Sequence, residues 1–335
     1  MPYSWGDDTG YTADSAPEGG FDYASARAAY SEDTKTRSSR KSAGKSDRKS
    51  AYASPGRKRI FTEAPVGKEL VTESAHPIVI MVDVTGSMST WPEIIFEKLP
   101  LLGQEVERYF TDYAISFTAV GDADCDSYPL QVRDFASGPS LDEHLRSLYP
   151  EGGGGDIPES YELAAYYYLH HCSMGKAISP ICILICDAPP HDELRPSEIE
   201  QYTGDKVQSD LNSAEMIRRL ASKFSLYVVL KDFSSGDDTT KYWQNLLGRE
   251  RVLPFDEPRD IVEVLIGIIA AEAGAFEDFR GRMTERHTDK PDRVTRVMKS
   301  LRTVIAAVTS PVADDGRAER KGAGSTRSAR SKKLI

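Results

Sequence analysis

Residues Pro77 to Ser89 read PIVIMVDVTGSMS. An unbroken apolar run, Ile78 to Val82, ends at Asp83, and a turn rich in hydroxyls follows through Thr85, Ser87 and Ser89. A short apolar run bounded by turn residues is the pattern of a strand buried on both faces. Such a strand delivers one carboxylate and several hydroxyls to its C-terminal end, the edge where open α/β sheets bind their ligands. Oxygen donors crowded there suit a hard cation such as Mg²⁺.

Outward from this stretch, apolar runs alternate with amphipathic ones, the α/β pattern. Downstream, Trp91–Tyr109 reads as a helix that Pro100 kinks or breaks. Ala114–Val120 reads as a strand, and Leu130–Phe135 as an antiparallel edge strand, because so few residues connect the two. A short helix over Leu141–Leu148, the run EGGGGDIPE (Glu151–Glu159) and a helix over Ser160–His171 come next. Pro180–Cys186 is a strand that delivers Asp187, followed by Ala188-Pro189-Pro190-His191. Helices over Gln208–Lys223, Lys241–Leu247, Pro258 to about Arg280, and Arg293–Val308 surround strands at Ser225–Leu230 and Arg251–Pro254. The expected fold is a Rossmann-like, mostly parallel central sheet flanked by helices, with one antiparallel edge strand. It spans residues 75–275, followed by a helical extension over 276–312.

The chain has 335 residues and a net charge of −10, yet both ends are basic. Residues 1–70 and 313–335 are poor in apolar periodicity and rich in Ser, Gly, Lys and Arg, and they read as disordered tails. Lys35–Arg59 and Arg317–Lys333 could associate with nucleic acid or an acidic surface. The start of the chain lacks an apolar signal region, and Glu263 and Glu272 break the longest apolar stretch, so no membrane span is expected. The four cysteines show neither a CxxC pair nor zinc spacing, and Cys182 and Cys186 lie within an apolar run. Reduced thiols fit an intracellular protein, cytoplasmic or nuclear.

Three loops carry the candidate chemistry: Asp83-x-Thr85-x-Ser87, Gly152–Glu159 and Asp187. The first resembles the Asp-x-Ser-x-Ser signature of the von Willebrand factor A (vWA) domain, with Thr in the first hydroxyl position. GGGGDIPES and LICDAPPH are similar to the GGGDxPE and TDAPPH forms of an intracellular-type branch that includes domains attached to some alpha-kinases. The resemblance implies a metal-ion-dependent adhesion site holding Mg²⁺, with Mn²⁺ or Ca²⁺ as alternatives. Thr85 and Ser87 would bind the metal directly, Asp83 and Asp187 through water. With little negative charge in direct contact with the metal, a partner protein could then supply a carboxylate as the last ligand. The family's second-loop Thr is replaced here by Gly155 or Asp156. Asp156 is read either as a metal contact or, with Pro158 and Glu159, as part of a helix capping box.

His191 and Asp122 are further candidates at the ligand-binding edge, against a plain reading as turn and loop residues. Asp122, Asp124 and Asp126 alternate like a calcium loop, but the Gly and distal Glu of an EF-hand do not follow. His170 and His171, as neighbours on a helix, point in different directions. Tyr166–Tyr168 is expected to pack one face of its helix on the sheet. Three functional classes follow. The first is a metal-dependent protein-interaction module. The second is a protein acting through its basic tails, with the fold as scaffold. The weakest is a phosphotransfer enzyme using Asp83, since haloacid-dehalogenase-type phosphatases need a second Asp where Thr85 stands and no other catalytic constellation is present.

Overall fold

A computed structural model describes residues 64–148, 158–231 and 238–309. Strands β1 (Leu70–Thr72) and β2 (His76–Asp83) precede helices α1 (Trp91–Lys98) and α2 (Pro100–Val106), strands β3 (Tyr113–Val120) and β4 (Leu130–Val132), and helix α3 (Ser140–Arg146). Next come α4 (Tyr161–His170), β5 (Cys172–Met174), β6 (Ile181–Cys186), β7 (Glu193–Leu194) and α5 (Pro196–Tyr202). They are followed by β8 (Leu211–Asn212), α6 (Ser213–Lys223), β9 (Ser225–Lys231) and α7 (Asp238–Leu247). The described chain closes with β10 (Val252–Phe255), α8 (Ile261–Glu272), α9 (Phe276–Arg286) and α10 (Pro291–Thr309).

The central sheet has six strands in the order β10-β9-β6-β2-β3-β4, and β4 alone of these runs antiparallel, against β3. Strand β2 lies in the middle, with Ile80 level with Phe117 of β3 on one side and Ile183 of β6 on the other. Its side chains alternate between faces, as the two-residue period of a strand requires. Ile78, Ile80 and Val82 enter a core shared with α1, α2, α8, α9 and α10. Val79 and Met81 enter the opposite core, shared with α4, α5, α6 and α7. Each such buried side chain contributes about 1.5–3 kcal/mol. Cys182 and Cys186 are fully buried in the second core, as the apolar run around them suggests, and all four cysteines are free thiols.

The elements differ from the sequence expectation at their ends. Leu99 separates α1 from α2, because the Pro100 ring cannot extend the preceding helix. The stretch expected as a helix from Gln208 begins only at Ser213. Leu211–Asn212 instead pairs with β7, and the Asn212 side chain accepts from the Glu215 N–H at 3.0 Å, capping α6. The long helix expected from Pro258 is three pieces: a 3₁₀ turn at Pro258–Asp260, then α8, then α9 beyond Gly274 at φ 69°. Phe279, Met283, Val297, Leu301 and Val304 from α9 and α10 pack into the first core, so these helices share the sheet's interior. Tyr166, Tyr167 and Tyr168 are all buried, rather than one face of α4 only. A small parallel pair, β1 with β5, has no counterpart in the sequence reading. Pro254 is an exposed residue of β10, the outermost strand on its side. No described helix is long and apolar enough to cross a membrane.

This strand order creates a switch point. From β2 the chain steps to β3 on one side, and β6 and β9 lie on the other. The crevice between the C-terminal ends of β2 and β6 is where such sheets place ligands. Asp83 ends β2, and Asp187 follows β6 immediately.

Candidate functional site

Asp83 is fully buried, and both of its oxygens are engaged. Oδ1 accepts from the Thr85 N–H at 2.8 Å and from Thr85 Oγ1 at 2.6 Å. Oδ2 accepts from the Tyr161 hydroxyl at the start of α4. A 3₁₀ turn, Gly86–Met88, then folds the chain back. Ser89 closes it at φ 55°, a conformation that costs a non-glycine residue about 1–3 kcal/mol. The turn sets Thr85 Oγ1 3.1 Å from Ser87 Oγ, and Ser87 Oγ donates to Asp187 Oδ1 at 2.9 Å. The sequence-predicted set of Asp83, Thr85, Ser87 and Asp187 is therefore one connected cluster. Burial and then the charge of Asp187 hold the Asp83 carboxyl well above its usual range, and burial likewise pushes Asp187 up.

Two residues outside the sequence expectation join them. Lys231, the last residue of β9, donates to the Ser87 carbonyl and lies 3.6 Å from Asp187 Oδ2. Its place at the C-terminal end of a parallel strand was the available signal, since that end faces the same crevice. The second residue is Glu159. The capping-box reading fails for it, because α4 begins at Tyr161 with Ser160 as its N-cap, leaving Pro158 and Glu159 ahead of the helix. Glu159 N–H instead donates to the Pro189 carbonyl at 3.1 Å, and Ser160 N–H to the Gly121 carbonyl at 3.2 Å. This short segment is thus stitched between the loops after β3 and β6. The Glu159 carboxyl is buried against the Thr85 hydroxyl, and its Oε2 has no hydrogen-bond partner. Burial, then the charges of Asp83 and Asp122, push it up to about 10. Gly155 and Asp156 lie outside the described residues, as do both basic tails.

Asp122 and His191 meet beside this cluster. His191 Nε2 donates to Asp122 Oδ1 at 2.9 Å, and Ser160 Oγ donates to the same oxygen at 3.3 Å. Burial pushes Asp122 up, but the bonds from His191 and Cys125 outweigh it and hold the carboxyl at about 2. The bond to Asp122 in turn pushes His191 up to about 9 against its own burial. Asp122, Asp124 and His191 each offer a ligand atom, all within 4.8 Å of one another, so this group could hold a metal ion. Asp126 does not join it. Its Oδ2 accepts from the Asp122 N–H at 2.8 Å and closes the loop, the role expected of a turn aspartate. His170 and His171 stand at the opposite end of α4 from Tyr161, and His171 lies between Glu69 and Asp205, each at 2.8 Å from a ring nitrogen.

The donor set around Thr85 consists of carboxylates and hydroxyls, the chemistry a hard divalent cation takes. Both oxygens of Asp83 are covered, by Thr85 and by Tyr161.

No protein-family model matches the chain, and no curated protein matches it. Solved structures similar to it include the pilus adhesin SpaC from Lactobacillus rhamnosus GG in its open conformation, at 12% identity and a TM-score of 0.43. That match covers 64% of this chain and 31% of the adhesin chain. Proximal thread matrix protein 1 from the mussel byssus is similar at 10% identity and a TM-score of 0.40, over 62% of this chain and 49% of that one. The chain thus spans 31% to 49% of the length of these proteins.

Proposed function

We propose that this chain is a metal-dependent protein-interaction module of the vWA type, which grips a partner through a divalent cation at the C-terminal edge of its sheet. Mg²⁺ is the natural occupant, and Mn²⁺ its nearest substitute. The observation that carries the reading is the hydrogen bond from Ser87 Oγ to Asp187 Oδ1 at 2.9 Å, which joins two loops 100 residues apart in sequence. Around it, Thr85 and Ser87 would hold the cation by their hydroxyls, Asp83 and Asp187 would anchor it, and Lys231 would balance charge. A bound cation would supply an electrophilic centre for a hard oxygen, such as a carboxylate, offered by the partner. The sealed position of Asp83 favours binding over phosphotransfer.

Titration calorimetry of Mg²⁺ and Mn²⁺ into the full chain tests this. Ser87 is exposed, so Ser87→Ala should leave the fold intact. Saturable binding that this variant weakens is the expected result. Binding untouched by Ser87→Ala but lost in Asp124→Ala would move the cation to the Asp122, Asp124 and His191 group, the second reading that its 4.8 Å spacing favours. The role of the basic tails is tested by the salt dependence of any nucleic-acid binding, which should be steep if phosphates are the target.

A further inference from the structure

A positive charge already stands at this edge, and it belongs to the chain. Lys231 ends β9, which runs between β10 and β6, and its register partner on β10 is Phe255. The strand end is paired in the sheet, so the ammonium is tethered within reach of one spot. The Lys231 side chain is 11% exposed. Its ammonium donates to the Ser87 carbonyl and lies 3.6 Å from Asp187 Oδ2. Asp187 gives its other oxygen to the Ser87 hydroxyl, and Oδ2 has no hydrogen-bond partner. That oxygen therefore answers to charge, and the charge it meets is the lysine's. Burial pushes Lys231 below the ordinary lysine value, while contact with Asp187 and the charge of Asp83 oppose the shift. One ammonium thus serves two buried acids. Glu159, pushed up to about 10, adds no charge to this group at neutral pH.

We propose that Lys231 is a tethered counter-ion that sets the ionic selectivity of this edge: it stands against Asp187 in the place a monovalent cation would take, and yields only to a dication. The inference rests on the metal-site reading above and deepens it, by naming the residue that decides which cations the site accepts. A sodium or potassium ion brings a single charge, which the ammonium already supplies from within the chain, at the advantage of an intramolecular contact. A dication brings one charge more, and the two carboxylates of Asp83 and Asp187 can meet it. The same ammonium repels the incoming dication at close range, so affinity is held down as selectivity is gained.

The test uses the full chain with Lys231→Met, Lys231→Gln and Lys231→Arg. Met removes the charge and keeps an apolar stem, Gln removes the charge and keeps a donor for the Ser87 carbonyl, and Arg keeps the charge. Thermal melts in chelator show that each variant is folded. Titrated with Mn²⁺ and Mg²⁺, both neutral variants should bind at least about tenfold more tightly than the wild-type chain, and Lys231→Arg should not. In chelator, both neutral variants should melt higher in sodium chloride than in choline chloride of equal ionic strength, whereas the wild-type chain should melt alike in the two salts. A lysine that only braces the turn gives a different pattern: its loss lowers the melting temperature and leaves cation affinity unchanged or weaker. That pattern, with Ser87→Ala weakening Mn²⁺ binding to the otherwise wild-type chain, would overturn this inference and leave the proposed function standing. So would a wild-type melting temperature that is higher in sodium than in choline, a measurement that needs no variant. Absence of saturable binding in the wild-type chain and in both neutral variants would overturn both readings.

Discussion

At the scale of single residues, the edge of the sheet is an accumulation of carboxyls held out of water. Glu162, in the first turn of α4, shows the consequence most simply. It is 1% exposed, its Oε2 has no hydrogen-bond partner, and burial pushes it from 4.5 up to about 8 despite a bond from the His191 backbone. The groups whose charges reach it are His191, which favours ionisation, and Glu198, which opposes it. A carboxyl with a raised folded-state value binds its proton more tightly when folded. Its contribution is therefore full below about pH 4.5 and is lost as pH rises toward about 8. Urea unfolding in chelator should show the wild-type chain losing up to about 1.4 kcal/mol per pH unit from this group across that window. Glu162→Gln should flatten that slope, and parallel curves for the two chains would refute the assignment. Residue-level legibility was uneven for a physical reason. Asp83, Thr85, Ser87 and Asp187 could be read because each follows an apolar run whose direction fixes where its end points. Glu159 was misread because Asp-x-x-Glu before a helix has the spacing of a capping box. Sequence spacing cannot tell a residue inside the first turn from one lying just before it. Tyr161 carries no local signal at all: its partner, Asp83, is 78 residues away.

At the scale of elements, the junction of α8 with α10 is held by buried charge as well as apolar packing. Arg293 Nε lies 2.6 Å from Asp260 Oδ1, and its Nη2 lies 3.0 Å from Glu263 Oε1. Arg296 bonds the other oxygen of Asp260, and His287 lies 3.4 Å from Glu263. Burial pushes Asp260 up, whereas Glu263, beside His287 and Arg293, is held below its usual range despite its own burial. Removing one member of such a group leaves its partners buried and unpaired. Arg293→Ala should cost about 3–5 kcal/mol by chemical denaturation. A loss below about 1 kcal/mol would mean that Arg296 and His287 suffice. Of these two acids, Glu263 was visible in the sequence only as an interruption of an apolar run. Their bases come from a segment some thirty residues further on, Arg293 standing 34 from the Arg259 carbonyl it also binds. The strands were the most legible elements, because burial on both faces forces continuous apolar runs. Strands β1 and β5, at three residues each, are too short to show any period.

For the whole molecule, the sheet, α9 and α10 stand or fall together. Phe279, Met283, Val297, Leu301 and Val304 are buried in the core that also holds Ile80 and Val82. Each contributes about 1.5–3 kcal/mol, so losing all of them matches the typical 5–15 kcal/mol stability of a domain. The approach is tight: a Cβ on Gly267 of α8 would stand 2.2 Å from Leu301 Cδ1. A chain ending at residue 275 should therefore lose its cooperative thermal transition by circular dichroism. An unchanged melting temperature would show that the sheet is self-sufficient. The flanks of the sheet carry a last consequence. On one side β4 offers only three residues, and on the other β10 carries Pro254, which has no N–H to give. Within the central sheet, neither border offers an incoming strand a long run of free backbone, which guards these two flanks against edge-to-edge pairing and disfavours a partner that binds there by adding a strand.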